Sequence, residues 1–253
     1  MRIVVEDVSP HVRVIALNRE ARRNALDVQA ARMLTQALVD ADSDKAVRVV
    51  VLTGKGSAFC SGADLQELVA TSESEIPKAF GELFRTIHHL GVPLIAAVNG
   101  AAIGGGFGLL LASDMAVVAE DAKLGTPEAE RGLFPLVISR FLYENLPQKL
   151  AHEILFLGKM LPVARALELG VVNRVVAKDR VLPEALQLAE QIASHSGAVL
   201  RLGRKALKGQ MDDSFDGAMT FLETKLVENI GLKDAREGIS AFLEKRKPRW
   251  KDG

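Results

Sequence analysis

The stretch VRVVVLTGKGSAFCSGADL, residues 47–65, decides the fold class. It opens with a nearly continuous β-branched run, Val47–Thr53, which is typical of a strand buried on both faces. A glycine-bearing loop follows and leads into a predicted helix from Gly62 to about Ala70. The same order recurs in LIAAVNGAAIGGGFGLLLA, residues 94–112, and a third short strand is predicted at Met115–Ala119. This alternation of strands, loops and helices predicts an α/β fold.

Beyond about residue 136 the hydrophobic pattern becomes mostly helical. We therefore predict an α/β core over residues 1–190 and a helical region over residues 191–253. No low-complexity linker separates the two, so the helical region is expected to pack on the core. Capping residues predict two helix starts: Asp27 for an early helix, and Asp234 for the last one, where an acid three residues on completes the spacing of a capping box.

Composition and charge exclude several classes of protein. The 253 residues carry 32 Lys+Arg and 32 Asp+Glu, and this zero net charge argues against binding of nucleic acid or an anionic membrane through a global field. Apolar residues make up 48% of the chain, which excludes wholesale disorder, and the longest apolar runs are too short to span a membrane. Cys60 is the only cysteine and no signal peptide precedes the first predicted strand, so a cytoplasmic location is expected. No metal site is expected, because His152-Glu153 begins like the zinc motif HExxH but Phe156 stands in place of the second histidine.

Two glycine-bearing segments, Ala58–Leu65 and Asn99–Gly108, indicate function most strongly. Each follows a predicted buried strand and opens a predicted helix, where backbone N–H groups lack intrahelical partners and the helix dipole favours negative charge. Two such helix N-termini facing each other would direct two N–H donors at one oxygen. That arrangement is an oxyanion hole, in which one donor is worth roughly 3–4 kcal/mol in a transition state. The alternative is that both segments are turns that let strands pack against helices.

Both glycine segments resemble motifs of the crotonase superfamily, the enoyl-CoA hydratase/isomerase family. Ala58–Leu65 is similar to its AFCAGADL-type motif, and Asn99–Gly106 is similar to its NGxxxGGG motif. Leu17–Leu26 resembles the first-strand signature of the family, and Glu237–Pro248 resembles its C-terminal helix, so the resemblance runs along essentially the whole chain. It implies a crotonase-like α/β superhelix of stacked ββα units. C-terminal helices would cover the site and join subunits in a homotrimer or a dimer of trimers.

The resemblance also implies the chemistry. The substrate would be an acyl-CoA thioester that reacts through an enolate, in fatty-acid or related acyl-CoA metabolism. The backbone N–H groups of Ser61 and Gly105 would hold the thioester oxygen. The resemblance implies neither a metal nor a redox cofactor. Coenzyme A would be part of the substrate.

A surface for the coenzyme A part of the substrate is implied around the first glycine segment. Gly62 would adjoin the oxyanion hole, and the adenine side would be lined by three residues that follow it: Ala63, Asp64 and Leu65. Arg23, two residues before Ala25, stands where family members contact the arm of coenzyme A. The alternatives are a solvated turn arginine at Arg23 and a helix first-turn acid, favoured by the dipole, at Asp64.

Glu128, which ends the segment Gly125-Thr126-Pro127-Glu128, is by the same resemblance the residue that moves protons at the substrate. A carboxylate near the α- or β-carbon can take and return a proton once the enolate is stabilised. Partial desolvation would raise its pKa toward the working pH. The residue pattern alone favours an exposed first-turn acid after proline. Glu130 is the competing acid and could carry an ion pair instead.

One position departs from the family pattern. Members that hydrate a double bond usually carry a second Glu just after the glycine run, and Gly108 stands at that position in this chain. Because moving a proton between two carbons is the easier task for a single carboxylate, double-bond isomerisation or atypical hydration is expected. Phe107 and Gly108 also suggest room for a bulky acyl group. The alternative is a non-catalytic acyl-CoA-binding scaffold, which would keep the oxyanion hole and lack productive proton transfer.

Overall fold

The strands lie close to the positions that the hydrophobic runs predict. A computed structural model describes residues 1–70, 75–211 and 214–252, with the backbone alone for residues 68–70. The described strands are β1 (Ile3–Ser9), β2 (Val12–Leu17), β3 (Val49–Gly54), β4 (Ala58–Cys60), β5 (Leu94–Val98), β6 (Ala101–Ile103), β7 (Met115–Ala119), β8 (Leu124–Gly125), β9 (Met160–Leu161) and β10 (Arg174–Val176).

The helices alternate with these strands up to β8 and dominate the chain after it. The described helices are α1 (Val28–Ser43), α2 (Leu65–Ala70), α3 (Glu75–His89), α4 (Gly105–Ala112), α5 (Leu136–Asn145), α6 (Gln148–Leu157), α7 (Val163–Glu168), α8 (Val181–Ala193), α9 (Gly197–Gly209), α10 (Phe215–Gly231) and α11 (Lys233–Leu243). None of the described helices is both long and apolar enough to cross a membrane.

From β3 to β8, successive strands alternate between two sheets. The larger sheet has the order β1-β2-β3-β5-β7-β10, and the smaller has the order β4-β6-β8-β9. Three consecutive strand pairs, β3 with β4, β5 with β6 and β7 with β8, therefore each contribute one strand to each sheet. Equivalent strands run parallel, with Val51 opposite Ile95 in the larger sheet and Ala58 opposite Ala101 in the smaller. This is the repeated ββα arrangement that the family resemblance implies.

Strand β3 is buried on both faces, as its β-branched sequence predicts. Val50 and Leu52 belong to the core that includes α1 and α3, whereas Val49 and Val51 belong to the core beneath α8. Since β3 and β5 are adjacent and parallel, the two glycine segments leave the larger sheet at the same edge.

The two glycine segments differ in local structure. The second opens α4 at Gly105, as predicted. The first does not open a helix at Gly62, because Ala63 forms a parallel β-bridge with Leu26 and α2 begins only at Leu65. The start predicted for this helix is therefore wrong by three residues, since the backbone of the segment pairs with a part of the chain that is distant in sequence.

Helix α9 carries two arginines that form hydrogen bonds with the core. Arg201 donates to three carbonyl oxygens just before and beyond the end of α1. Arg204, which is buried, donates to three carbonyl oxygens at the end of α3 and forms an ion pair with Asp114 at 2.7 Å. The predicted boundary at residue 190 falls inside α8, and the division of the chain into two regions stays a prediction.

The end of the chain folds back onto the core. Asp252 accepts a hydrogen bond from the buried guanidinium of Arg48 at 2.7 Å. Asp234 accepts from the backbone N–H groups of Lys251 at 2.8 Å and of Asp252 at 2.9 Å. The prediction that Asp234 caps the last helix is wrong, because Leu232 occupies the N-cap of α11 and the tail takes up the Asp234 carboxylate.

Candidate active site

A cavity of about 630 Å³ lies where the two glycine segments meet. Its other walls come from α3 and from the chain between residues 131 and 138, which leads into α5. The residues expected at the site all line this cavity: Arg23, Ala25, Ser61, Gly62, Ala63, Asp64, Leu65, Gly105 and Glu128. The structure therefore brings the sequence-predicted residues together in one place.

The glycine segments approach each other too closely for a side chain to fit between them. An ideal Cβ built on Gly62 would lie 2.8 Å from the Ile103 carbonyl oxygen and 3.4 Å from the Gly105 nitrogen. Gly62 also has a φ of +90°, which a residue with a side chain rarely adopts. The backbone around Gly62 thus lies directly against the N-terminus of α4.

The Ser61 amide does not have the role expected of it. Its N–H donates to the Arg23 carbonyl oxygen at 3.1 Å, so this donor is engaged within the protein. The Asp64 N–H is engaged as well, with the Leu26 carbonyl oxygen at 2.8 Å. The assignment of Ser61 as an amide donor is therefore corrected: its N–H is bound to the turn that contains Arg23.

Two other amides at the cavity are available. In the parallel bridge between Ala63 and Leu26, the Leu26 N–H donates to the Gly62 carbonyl oxygen, and the Asp64 N–H donates to the Leu26 carbonyl oxygen. The two hydrogen bonds are therefore made by the neighbours of Ala63, and the N–H of Ala63 itself points away from Leu26. Gly105 is the first residue of α4, where an N–H has no intrahelical partner. Neither amide has a hydrogen-bond acceptor within residues 1–70, 75–211 and 214–252. The first available donor is thus Ala63, two residues after Ser61.

Glu128 places a carboxylate beside these amides. It lies in a 3-10 helix, Pro127–Arg131, and its side chain covers Gly104 so closely that a Cβ on Gly104 would lie 3.1 Å from Glu128 Cδ and nearer still to Oε1. Glu128 Oε2 is buried and has no hydrogen-bond partner in the part of the chain that the structure describes. Burial raises the pKa of Glu128 above its ordinary value of 4.5, against the opposing effects of its own backbone N–H and of Arg131. The carboxyl group is therefore suited to accept and return a proton.

Glu130 lies elsewhere. It is exposed and is not among the residues that line the cavity. Its side chain packs near Gly158, where a built Cβ would lie 3.3 Å from Glu130 Cγ. Of the two acids, Glu128 lines the cavity and Glu130 does not.

Gly108 does not provide room for a larger acyl group. A Cβ built on it would lie 2.9 Å from both Ile138 Cβ and Phe84 Cζ, and closer still to Ile138 Cγ2. Phe107 is fully buried in the core. The expectation of additional space beside Phe107 and Gly108 is therefore wrong, because Ile138 and Phe84 already fill it.

Asp64 has a structural partner in addition to its place on the cavity wall. Its carboxylate pairs with Arg19 at 2.9 Å and accepts from the Gln66 N–H at 3.2 Å in the first turn of α2. Burial raises the pKa of Asp64, but the hydrogen bonds from Arg19 and from backbone N–H groups outweigh it, so the pKa lies below the usual value. This geometry agrees with the alternative interpretation of Asp64 as a helix first-turn acid.

Arg23 lies at the mouth of the cavity. It is exposed, has a φ of 50° and ends a 3-10 turn, Glu20–Arg22. Arg22, which is also exposed, lines the cavity as well, so two arginines contribute to this part of its wall.

Sequence reasoning missed the apolar wall of the site. Ile76 and Phe80 project from α3, and Leu136 and Ile138 from the start of α5. The spacing of four residues between Ile76, Phe80 and Phe84 is the signal that places them on one face of a helix. Contact of that face with the cavity depends on the tertiary packing of α3 and is absent from the local pattern.

Comparison with known proteins identifies the family. The family model described as enoyl-CoA hydratase/isomerase matches residues 7–253. The chain belongs to the enoyl-CoA hydratase/isomerase family. A Thermus thermophilus relative named as a putative enoyl-CoA hydratase is 39% identical over an alignment of 250 residues, with 95% of this chain and 97% of the relative covered. A zebrafish (Danio rerio) relative, named as enoyl-CoA hydratase domain-containing protein 3, mitochondrial, is 36% identical, with 94% of this chain and 84% of the relative covered.

Solved structures of the enoyl-CoA hydratase/isomerase family have the same fold. The crystal structure of an enoyl-CoA hydratase from Bacillus anthracis superposes with a TM-score of 0.94 at 32% identity and covers 100% of both chains. That of human enoyl-CoA hydratase domain-containing protein 3 superposes with a TM-score of 0.93 at 30% identity and covers 99% of this chain and 100% of that one. The crotonase-like α/β fold expected from the sequence is confirmed.

Proposed function

We infer that this protein acts on an acyl-CoA thioester through an enolate. The observation that carries this proposal is Glu128 Oε2, a buried carboxylate oxygen without a hydrogen-bond partner among the described residues, in the same cavity as the available amides of Ala63 and Gly105. These two amides would donate to the thioester oxygen and stabilise the negative charge that develops on it. Ala63 replaces Ser61 in this role.

Double-bond isomerisation is the reaction that one carboxylate supports best. Glu128 takes a proton from C2 of a 3-enoyl thioester, and the electron pair of that C–H bond moves into the enolate, whose charge rests on the thioester oxygen. The same carboxyl group returns the proton to C4 as the double bond shifts to C2–C3. Atoms and electrons balance within the substrate, so the reaction needs no metal or redox cofactor.

The acids of the cavity wall favour isomerisation over ordinary hydration. Among the described residues that line the cavity, the carboxylates are Asp64 and Glu128, and Asp64 is bound to Arg19. Gly108 supplies no second acid at the position where hydrating members of the family usually carry one. Glu128 is therefore left as the single proton carrier.

The coenzyme A part of the substrate would bind at the entrance of the cavity. Arg23 and Arg22 offer positive charge to phosphate oxygens, and Ala25 lies between this turn and the interior. Gly62 and the segment Ala63–Leu65 would form the adenine side. The cytoplasmic location expected from Cys60 stays a prediction, and the zebrafish relative is named as mitochondrial.

The C-terminal helices support the proposed homotrimer or dimer of trimers. Helix α10 contributes no buried residue to the protomer, although it spans 17 residues. Large apolar side chains are exposed on α10 and α11: Phe215, Met219, Leu226, Val227, Ile230, Ile239, Phe242 and Leu243. An exposed apolar surface of this kind is typical of protein–protein interaction sites, which supports subunit association through these helices.

A panel of 2-enoyl- and 3-enoyl-CoA thioesters, analysed by product mass, tests the proposal. We expect a shifted alkene of unchanged mass as the main product, and loss of that turnover with retained thioester binding in Glu128→Gln. Glu130→Gln is the matched control and should keep its activity, because Glu130 lies outside the cavity. Thioester binding without turnover by the wild-type protein would instead identify the scaffold alternative.

A further inference from the structure

Ile138 stands between the cavity and Gly108. It lines the cavity wall, and it is also the residue that a side chain at Gly108 would meet first, with its Cβ 2.9 Å from the built Gly108 Cβ. Ile138 is 3% exposed, so its side chain has little freedom to move aside. Its β-branch further limits it, because a β-branched residue in a helix has essentially one χ1 rotamer.

The position of Ile138 is set by the packing of α5 on α4. The Asn145 side-chain amide donates to the Leu111 carbonyl oxygen at 3.2 Å and to the Phe141 carbonyl oxygen at 2.8 Å. The bond to Leu111 joins the end of α5 to α4, the helix that carries Gly108, whereas the bond to Phe141 lies within α5. Ile138 is therefore held in place by both helices.

The side chains nearest to a Cβ on Gly108, those of Ile138 and Phe84, are apolar. Phe84 Cζ lies 2.9 Å from the built Cβ, and the Phe84 ring packs against Phe141 with centroids 5.2 Å apart. An ordered water needs two to four polar partners, roughly three on average. Ile138 and the two phenylalanines supply no polar partner for a water, and of the two carboxylates among the described residues of the cavity wall, Asp64 is already paired with Arg19, which leaves Glu128.

We propose that Ile138 is a specificity-determining residue, which directs the enolate chemistry toward proton transfer between carbons by filling the space that a second acid and its water would need. The inference rests on the proposed function and extends it to a residue of α5. Gly108 and Ile138 then act as a pair: the glycine omits the acid, and the isoleucine closes the space that the omission leaves.

Two substitutions whose new side chains are isosteric with each other test this role. Ile138→Thr and Ile138→Val have nearly the same shape, but only the threonine hydroxyl can hold a water beside the substrate. Both variants are incubated with a 2-enoyl-CoA, and the ratio of hydrated to isomerised product is measured by mass and chromatography. We expect this ratio to be about tenfold higher for Ile138→Thr than for Ile138→Val. This effect is smaller than the ~10²–10⁴-fold rate increase that a fully positioned general acid or base provides.

Thermal unfolding and thioester binding establish that each variant is folded. Ile138→Ala is the second variant if the threonine variant does not fold, and it should raise the same ratio by admitting water into the vacated space. Equal ratios in the folded variants and the wild-type protein would overturn the role of Ile138 while leaving the isomerase proposal intact. A wild-type protein that converts neither a 2-enoyl- nor a 3-enoyl-CoA would overturn the proposed function and this inference with it.

Discussion

Glu128 carries a charge where the surrounding protein gives one of its oxygens no hydrogen bond. Because burial raises the pKa of Glu128 above 4.5, the folded protein binds this proton more tightly than the unfolded chain does. The tighter proton binding by Glu128 contributes to the free energy of unfolding. This contribution is fully present below the pKa of the unfolded state and is lost as the pH rises through the raised pKa of the folded state. At a pH above the raised pKa the ionised carboxylate therefore destabilises the native state, which is the cost of keeping a base in this cavity.

Glu128→Gln is expected to be more stable than the wild-type protein at pH 7, and this advantage should disappear below a pH of about 4, where the wild-type carboxyl group is protonated. Urea unfolding at the two pH values measures the effect, with Glu130→Gln as the exposed control. Turnover by the wild-type protein should fall as the pH drops through the raised pKa of Glu128. A Glu128→Gln variant that is less stable than the wild-type protein at pH 7 would contradict this assignment.

Gly108 is constrained by its neighbours, and a matched glycine tests this. Both Gly108 and Gly203 lie inside helices, but a Cβ on Gly203 would meet nothing within 4 Å. Gly203→Ala should raise the free energy of unfolding by up to ~1 kcal/mol through helix propensity. Gly108→Ala should lower it by about 1–3 kcal/mol, because the new methyl group overlaps Ile138 and Phe84. Denaturant titration distinguishes the two, and similar effects at both positions would refute the steric argument.

For individual residues, the sequence correctly predicted Gly105 and Glu128 at the cavity. It named the amide of Ser61 where the available donor is that of Ala63. The motif indicates that an amide of the first glycine segment faces the cavity. Whether this is Ser61 or Ala63 depends on which N–H groups the Arg23 and Leu26 carbonyls occupy. Those partners are more than 35 residues away in sequence, so no local pattern contains them.

Among the elements, α3 depends on Arg204 of α9 for the hydrogen bonds of its last turn. The last carbonyl groups of a helix have no partners within it. Arg204 donates hydrogen bonds to three carbonyl oxygens at the end of α3 and forms an ion pair with Asp114. Its own side chain is only 5% exposed. Because α3 also carries Phe80 into the cavity, this cap connects the C-terminal helices to the site.

Arg204→Met should lower the free energy of unfolding by roughly 3–5 kcal/mol, because it breaks the ion pair with Asp114 and removes the donor from the carbonyl groups at the end of α3. Arg165→Met is the control: Arg165 pairs with Glu168 at the surface, where such pairs are worth about 0–1 kcal/mol. Urea unfolding of both variants provides the comparison. Equal losses would show that Arg204 is not a structural cap.

Helix caps illustrate what the local sequence predicts about elements and what it does not. Asp27 was expected to cap an early helix, and its carboxylate accepts from the Ala30 N–H at 2.6 Å at the start of α1. Asp234 has an equally favourable local sequence, yet backbone N–H groups of the tail bind it instead. The difference lies in the return of the chain end onto the core, which only the tertiary structure shows.

For the whole molecule, the surface of α10 and α11 predicts association. Val227 is 73% exposed, and an acid there would place a charge in the proposed subunit interface. Light scattering should find a trimer or a dimer of trimers for the wild-type protein and a smaller species for Val227→Asp. Val8→Asp, on the edge strand β1, is the control and should keep the wild-type mass. A monomeric wild-type protein would refute the proposed assembly.

The ββα repeat explains why so much of the whole fold was predictable. The runs around Val47–Thr53 and Leu94–Val98 have the composition of buried parallel strands, and their glycine segments follow at equivalent positions. The docking of α9 and the tail was not predictable, because it rests on long-range bonds of Arg48, Arg201 and Arg204 whose partners lie in other elements.

In the proposed mechanism, Glu128 forms an enolate whose oxygen is held by the Ala63 and Gly105 amides. Deuterium exchange at C2 of a saturated acyl-CoA in D₂O, followed by proton NMR, isolates this step because no double bond can move and no water can add. We expect exchange with the wild-type protein and its loss with Glu128→Gln, while both proteins bind the thioester. Absence of exchange with the wild-type protein, or equal exchange with the variant, would contradict it.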